Sequence, residues 1–177
     1  MILSGSEIIK RYRKGDIVIE PFYPDTVGAN SYDLTLNDIL YTYSINKINR
    51  DIKDINFLTR HVIGKEGFLL SPGKLYLGRT NEYTETRNLV PMIEGVSSVA
   101  RHGMFIHVTA GFGDIGFCGN WTLEISVIEP LIIYPNMRIA QIYYHTVEGE
   151  IEKTYDGKYQ GSRDVIGSRT YKEYDNK

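Results

Sequence analysis

The sequence is poor in several things, and each shortage excludes a class of protein. It has one cysteine, Cys118, among 177 residues, so no disulfide can form within the chain and nothing points to an oxidising compartment. Long apolar runs are missing. None approaches the roughly 18 residues of a membrane span, and the opening MILSGSEIIKRYRK carries charge where an export signal needs an apolar stretch. A cytoplasmic protein without membrane contact is the expectation. Charge of one sign is also missing: 20 Lys and Arg against 22 Asp and Glu give a net −2 spread along the chain. A nucleic-acid footprint, which shows as a basic stripe, is therefore not expected. A small anion remains possible, because it needs only a few cations placed locally. The four histidines, His61, His102, His107 and His145, form no H-E-x-x-H and no H-x-E followed by C-x-x-C. No protein-held zinc or other metal is expected, and no Walker loop or G-x-G-x-x-G is present.

What is there reads as one β-rich domain over residues 1–177. At 42% apolar residues the chain can bury a core without crosslinks. The start is helical: Ser4 is a plausible N-cap with Glu7 at capping-box spacing, Ile8, Ile9 and Tyr12 give an apolar face, and Gly15-Asp16 breaks it. Short apolar or alternating runs then predict strands at 17–19, 32–36, 39–43, 68–70, 75–80, 105–109, 122–128, 131–134 and 138–145. Turns fall at Ser71-Pro72-Gly73, at Gly116 to Gly119 (with Cys118 inside it) and at Pro135-Asn136. Residues 45–65 are polar and aperiodic and read as a long loop or insertion. The tail, 148–177, interleaves tyrosines with lysines and arginines; it reads either as disordered or as a segment that orders over an anionic ligand.

Residues 94–124, EGVSSVARHGMFIHVTAGFGDIGFCGNWTLE, carry the chemistry. Ser97 and Ser98 follow a glycine and could face an anion in a nest-like turn. Arg101 lies close behind them. Thr109-Ala110-Gly111 ends an apolar strand, and Asp114 sits in a glycine-rich turn. Alternation then puts Thr122, Glu124 and Ser126 on one face and Leu123, Ile125 and Val127 on the other. Glu124 either looks at water or, in a covered sheet with Arg101 as partner, is an acid/base group.

This segment resembles the dCTP deaminases, whose pattern runs glycine, a basic residue, S-S, two residues, R-x-G, T-A, D-x-G-[FYW]-x-G and a strand ending L-E. MILS at the start, Asn30-Ser31-Tyr32-Asp33-Leu34, Pro135-Asn136-Met137-Arg138-Ile139-Ala140-Gln141, Lys158-Tyr159-Gln160-Gly161 and Ser168-Arg169 are similar to the family as well. The resemblance implies a distorted β-barrel or jelly-roll-like dUTPase fold with a short N-terminal helix. It also implies a homotrimer whose sites lie between subunits, one chain's Ser-Ser-x-x-Arg segment meeting another's sheet and tail. In such a site Glu124 would take a proton from water, and the hydroxide would attack C4 of cytosine without zinc. Arg101 would hold the carboxylate, Ser97 the water or amine, and the Thr109-Ala110 backbone the water. Asp114 would bind the sugar 3′-hydroxyl. Ser98, Tyr155, Lys158 and Gln160 would hold the phosphates with Mg²⁺ carried on them, and Gln141 would also contact substrate.

The implied reaction is dCTP to dUTP and ammonia. A bifunctional enzyme giving dUMP and pyrophosphate, a dUTPase, and a non-catalytic nucleotide-binding protein stay open, as does dTTP as a further ligand beside dCTP and dUTP. One position departs from the pattern: Val96 stands where relatives commonly carry Arg or Lys. Lys158 and Arg163, and less so Arg79 and Arg87, are the cations expected to compensate.

Overall fold

A computed structural model describes residues 1–44, 51–55 and 57–174. Helix α1, Gly5–Lys14, begins where the Ser4 hydroxyl accepts the Glu7 N–H at 3.3 Å, which pairs one of the donors a helix start leaves free. The Glu7 carboxylate turns to Arg11 at 3.0 Å and Lys10 at 3.2 Å. Gly15 stops the helix at φ 78°, and the N–H groups of Gly15 and Asp16 close on the carbonyls of Tyr12 and Arg11. Glycine adopts this left-handed stop without the penalty a Cβ would bring. Ile8 is fully buried and docks the helix on the first strand.

Among the described residues eleven strands follow: β1 (Ile17–Glu20), β2 (Tyr32–Thr35), β3 (Ile39–Tyr43), β4 (Leu58–Val62), β5 (Phe68–Leu70), β6 (Tyr76–Thr86), β7 (Leu89–Gly95), β8 (Met104–Ile106), β9 (Cys118–Val127), β10 (Leu131–Ile133) and β11 (Arg138–Thr146), with a short helix α2 (Ser97–Ala100) after β7. They pair antiparallel in three sheets. The order β4-β3-β6-β9-β8, with β1 also on β6, makes the largest; β2-β11-β7 and β10-β5 make the others. Inward residues such as Leu34, Leu40, Ile93, Leu123, Ile125 and Ile142 share one core, each contributing about 1.5–3 kcal/mol by leaving water. Among the described residues no continuous ladder joins all the strands, so the mainly β fold is open and distorted. No helix there is long and apolar enough to cross a membrane.

Several expected boundaries move. β7 was not expected, because Pro91 interrupts its pattern. It survives as a sheet edge: Pro91 and Ile93 point their backbone away from β11, where Gly113 N–H donates to the Pro91 carbonyl and Ile93 N–H to the Gly111 carbonyl. β4 lies inside the stretch read as a long loop. It is a half-exposed edge strand on β3 and so lacks a buried period; residues 45–50 and 56 of that stretch lie outside the described residues. β8 stops at Ile106 rather than at 109, because His107 takes φ 56°. The turn before β9 runs from Asp114 to Phe117, closed by the Phe117 N–H to the Asp114 carbonyl at 3.2 Å, and Cys118 already belongs to the strand.

β6 and β9 form the longest pairing, and its register slips between Arg79 and Tyr83. Side chains pair much of the backbone at the bulge. Thr80 Oγ1 accepts the Trp121 N–H at 3.0 Å, and the Asn120 amide donates to the carbonyls of Thr80 and Asn81, each at 3.1 Å. Bulges re-aim side chains near sites, and this one sits directly behind the cavity described next.

Candidate active site

β9 supplies the floor of the site. Its alternation buries Leu123, Ile125 and Val127 and turns Thr122, Glu124 and Ser126 the other way. Thr122 and Glu124 line a cavity of about 410 Å³, bounded by Leu77 of β6, by Ala110 and Asp114 of the loop between β8 and β9, and by Tyr155 and Tyr159 of the tail. The Glu124 side chain is 41% exposed, half covered, and lines that space. Trp121, whose indole N–H is fixed on Thr84 Oγ1 at 2.8 Å, and Phe117, 4.6 Å from it, give the cavity an aromatic wall.

The tail is ordered against its own sheet. Asn120 N–H donates to the Ser162 carbonyl and the Ser162 hydroxyl donates to the Asn120 carbonyl, both at 2.8 Å. Ile166 N–H donates to Thr122 Oγ1 at 3.1 Å, and Ser168 N–H to the Tyr43 hydroxyl at 3.1 Å. Gln160 accepts the Cys118 N–H at 3.0 Å and donates to the carbonyls of Gly116 and Tyr155. Its amide ties the tail to the Asp114–Phe117 turn, so the Gln160 side chain is spent on holding the tail in place. Asp114 itself is exposed at the cavity mouth.

The structure separates the expected site residues into two groups. Glu124, Ala110, Asp114 and Tyr155 converge on the cavity. Ser97, Ser98 and Arg101 do not: they sit exposed on and just after α2. Within the chain the ionisable partner at Glu124 is therefore His107, whose Nδ1 lies 2.6 Å from Oε2, and not Arg101. Thr109 borders a neighbouring cleft with Phe105 and Val108. Gln141, on β11 opposite Asp33 and Glu94, accepts the Ser31 hydroxyl at 3.4 Å away from the cavity. Lys158 pairs with Glu173, which raises the lysine's pKa above its ordinary value.

Val96 precedes α2 and packs on the core. The cations expected to stand in for the missing charge already have partners: Arg163 lies 3.8 Å over the Tyr83 ring, Arg79 is 3.6 Å from Asp164, and Arg87 is 3.5 Å from Glu85. Tyr83 is pushed up to about 12, by burial first and by its hydrogen bond with Cys118 second. His107 is the site neighbour that sequence reasoning passed over. It entered only as one histidine of a metal motif that was absent, and strand alternation would have turned it outward with Phe105.

Comparison with known proteins shows the family. The dCTP deaminase-like family model matches residues 2–147. A Hathewaya histolytica protein named dCTP deaminase, dUMP-forming, is 54% identical over 175 residues, covering 99% of this chain and 100% of that one. A Leptospira biflexa protein of the same name is 52% identical over the full length of both. A solved 2′-deoxycytidine 5′-triphosphate deaminase from Agrobacterium tumefaciens superposes with TM-score 0.64 at 20% identity, over 82% of this chain and about half (48%) of that one, a likeness of fold. With the motif, the cavity and full-length relatives in agreement, the chain belongs to the dCTP deaminase-like family.

Proposed function

We propose that the protein hydrolyses dCTP to dUMP, ammonia and pyrophosphate, consuming two waters. Deamination alone was the first expectation from sequence. What moves the reading to the dUMP-forming reaction is one observation: relatives bearing that name align over 99–100% of this chain, so cavity, tail and α2 all fall within the shared length. In the first half-reaction Glu124 takes a proton from water as the hydroxide adds to C4, and passes that proton to N3. It then carries the proton of the new C4 hydroxyl to the amine, and ammonia departs as C4=O forms. The carboxylate does to water what a metal does in zinc deaminases, so this reading needs no zinc. In the second, water attacks the α-phosphate and pyrophosphate leaves, with Asp114 at the sugar end. The tail over the cavity supplies the water exclusion such chemistry uses.

Two further elements belong to this reading. Ser97, Ser98 and Arg101 point out of their own chain, so they complete the cavity of a neighbouring copy in a homotrimer. Among the described residues no three His, Cys, Asp or Glu side chains group together, and Asp114 is the one carboxylate besides Glu124 among the described cavity residues. That donor set suits Mg²⁺ carried in on the triphosphate and held by phosphate oxygens; the bound cation would neutralise phosphate charge. Incubation with dCTP and Mg²⁺, resolving ammonia, dUTP, dUMP and pyrophosphate, tests the whole. Ammonia with dUMP and pyrophosphate is expected. Accumulating dUTP would reduce the protein to a deaminase, and tight binding without turnover would make it a sensor.

A further inference from the structure

His107 meets Glu124 twice. Its backbone N–H donates to the Glu124 carbonyl at 3.0 Å, and its Nδ1 lies 2.6 Å from Oε2 of the same residue. The ring is buried, 8% exposed, and Nδ1 has no aligned hydrogen-bond partner; the 2.6 Å contact is an ion-pair distance off the axis of a directed bond. A buried ring nitrogen without an aligned partner carries a desolvation cost. Catalytic hydrogen bonds are often poorly aligned before substrate arrives and tighten in the complex.

The backbone adds a second cost. His107 holds φ 56°, a region that side chains with a Cβ visit rarely and that persists only where the surroundings impose it. It is where the chain leaves β8, and the Ala110 N–H returns to its carbonyl at 3.4 Å, so the turn places Ala110 on the cavity wall. Packing alone does not account for the residue. The ring stands edge-on to Trp121 at 6.3 Å, a contact that would not require a nitrogen aimed at a carboxylate.

We infer that His107 is a positioning residue for Glu124: its Nδ1–H donates to Oε2, fixes the carboxylate rotamer, and leaves the other oxygen to take the proton from water. This rests on Glu124 as the proton shuttle. A carboxylate on a strand has free side-chain torsions, and a misplacement of about 1 Å at such a centre costs on the order of a hundredfold in rate.

The turn's unusual φ makes a clean test possible, because glycine and asparagine both tolerate it. His107→Gly keeps the backbone and removes the donor. His107→Asn keeps the backbone and restores an N–H near the Nδ1 position, but cannot carry a proton. Steady-state ammonia release is measured for both, beside Glu124→Gln. The expected result for His107→Gly is a kcat lower by roughly tenfold to a hundredfold with KM for dCTP within about threefold, and His107→Asn should recover most of that loss. Unchanged kcat in His107→Gly overturns the inference. Equal loss in both variants also overturns it, since a donor alone would then be insufficient. If Glu124→Gln keeps its activity the shuttle reading itself fails, a result distinct from either histidine outcome.

Discussion

The cavity on β9 and the short helix α2 come from one continuous motif, yet the chain treats them in opposite ways. Glu124 is enclosed by its own tail, loop and sheet, with His107 touching it and a cavity of about 410 Å³ before it. Ser97, Ser98 and Arg101, some twenty to thirty positions earlier (about two β-excursions of chain), stand exposed. One chain thus gathers part of the motif around a cavity and presents the rest outward. The difference teaches that adjacency in a motif is not adjacency in a pocket; on the proposed function, the pocket is completed when another copy brings what α2 displays.

Removing the enclosed half should have the largest effect. Glu124→Gln keeps shape and hydrogen bonding but cannot accept the proton, so deamination should fall by roughly 10² to 10⁴. Nucleotide affinity should stay within about tenfold. Fluorescence of Trp121, the one tryptophan and part of the cavity wall, reads that affinity directly. Turnover above about a tenth of wild type would take Glu124 out of the mechanism.

The two halves can then be set against each other. Arg101→Ala should be inactive alone, because it strips the displayed half. Mixed with Glu124→Gln protein after dissociation and reassembly, it should recover up to about a quarter of wild-type activity, since one site in four then joins an intact Glu124 to an intact Arg101 from a neighbour. No recovery in mixtures shown to exchange subunits would place both residues in one chain's site. Sedimentation as a stable monomer at micromolar concentration would end the two-copy account altogether.

Much of this was legible in the sequence, and what was not has identifiable causes. The α1 cap, β3 and β5 follow local rules that tertiary contacts leave intact. Pro91 hid β7 because a proline forbids a central strand and says nothing against an edge. The polar run Thr59-Arg60-His61 hid β4, a strand that buries neither face well. His107 was missed because its place beside Glu124 comes from a reversed φ and from what β9 sets opposite it, both tertiary facts. Glu124 was legible, since a carboxylate alternating with Leu123 and Ile125 is odd wherever the sheet is covered. Arg101 was read as a partner for Glu124, which strand and loop patterning could not check: the chain places it exposed after α2, away from the cavity.

A smaller effect should come from Val96, on the displayed side. A basic residue there would reach a neighbour's bound triphosphate, and a charge-assisted contact of that kind is worth roughly 1.5–3 kcal/mol. Val96→Arg should therefore lower KM for dCTP by about tenfold and leave dCMP nearly unchanged. Val96 also packs on the core, so the variant's melting temperature should be followed alongside. A wild type that already prefers dCTP about a thousandfold, with nothing added by the arginine, would mean the phosphate site is full without this position.

The smallest effect concerns the frame behind the enclosed half and separates framework from chemistry. Glu82 sits in the β6 bulge, 1% exposed, accepting the Thr35 N–H at 2.8 Å and its hydroxyl at 2.7 Å. Burial raises its carboxyl pKa above the ordinary value, and the two bonds from Thr35 offset this only in part. With the folded pKa above the unfolded one, the folded chain binds more protons between the two values, so stability falls as pH rises through that window. It stays lower above the folded pKa, and returns as pH drops toward the unfolded value. Glutamine can accept the Thr35 N–H and donate to its hydroxyl, so Glu82→Gln should preserve the bulge and remove this part of the pH dependence. Urea titrations from about pH 4 to pH 8 should give a flatter stability profile for the variant. Because Glu82 does not border the cavity, kcat should stay within about twofold of wild type at neutral pH. An unchanged profile would mean Glu82 titrates alike in both states, and a large loss of kcat would mean the bulge itself holds β9 in catalytic register.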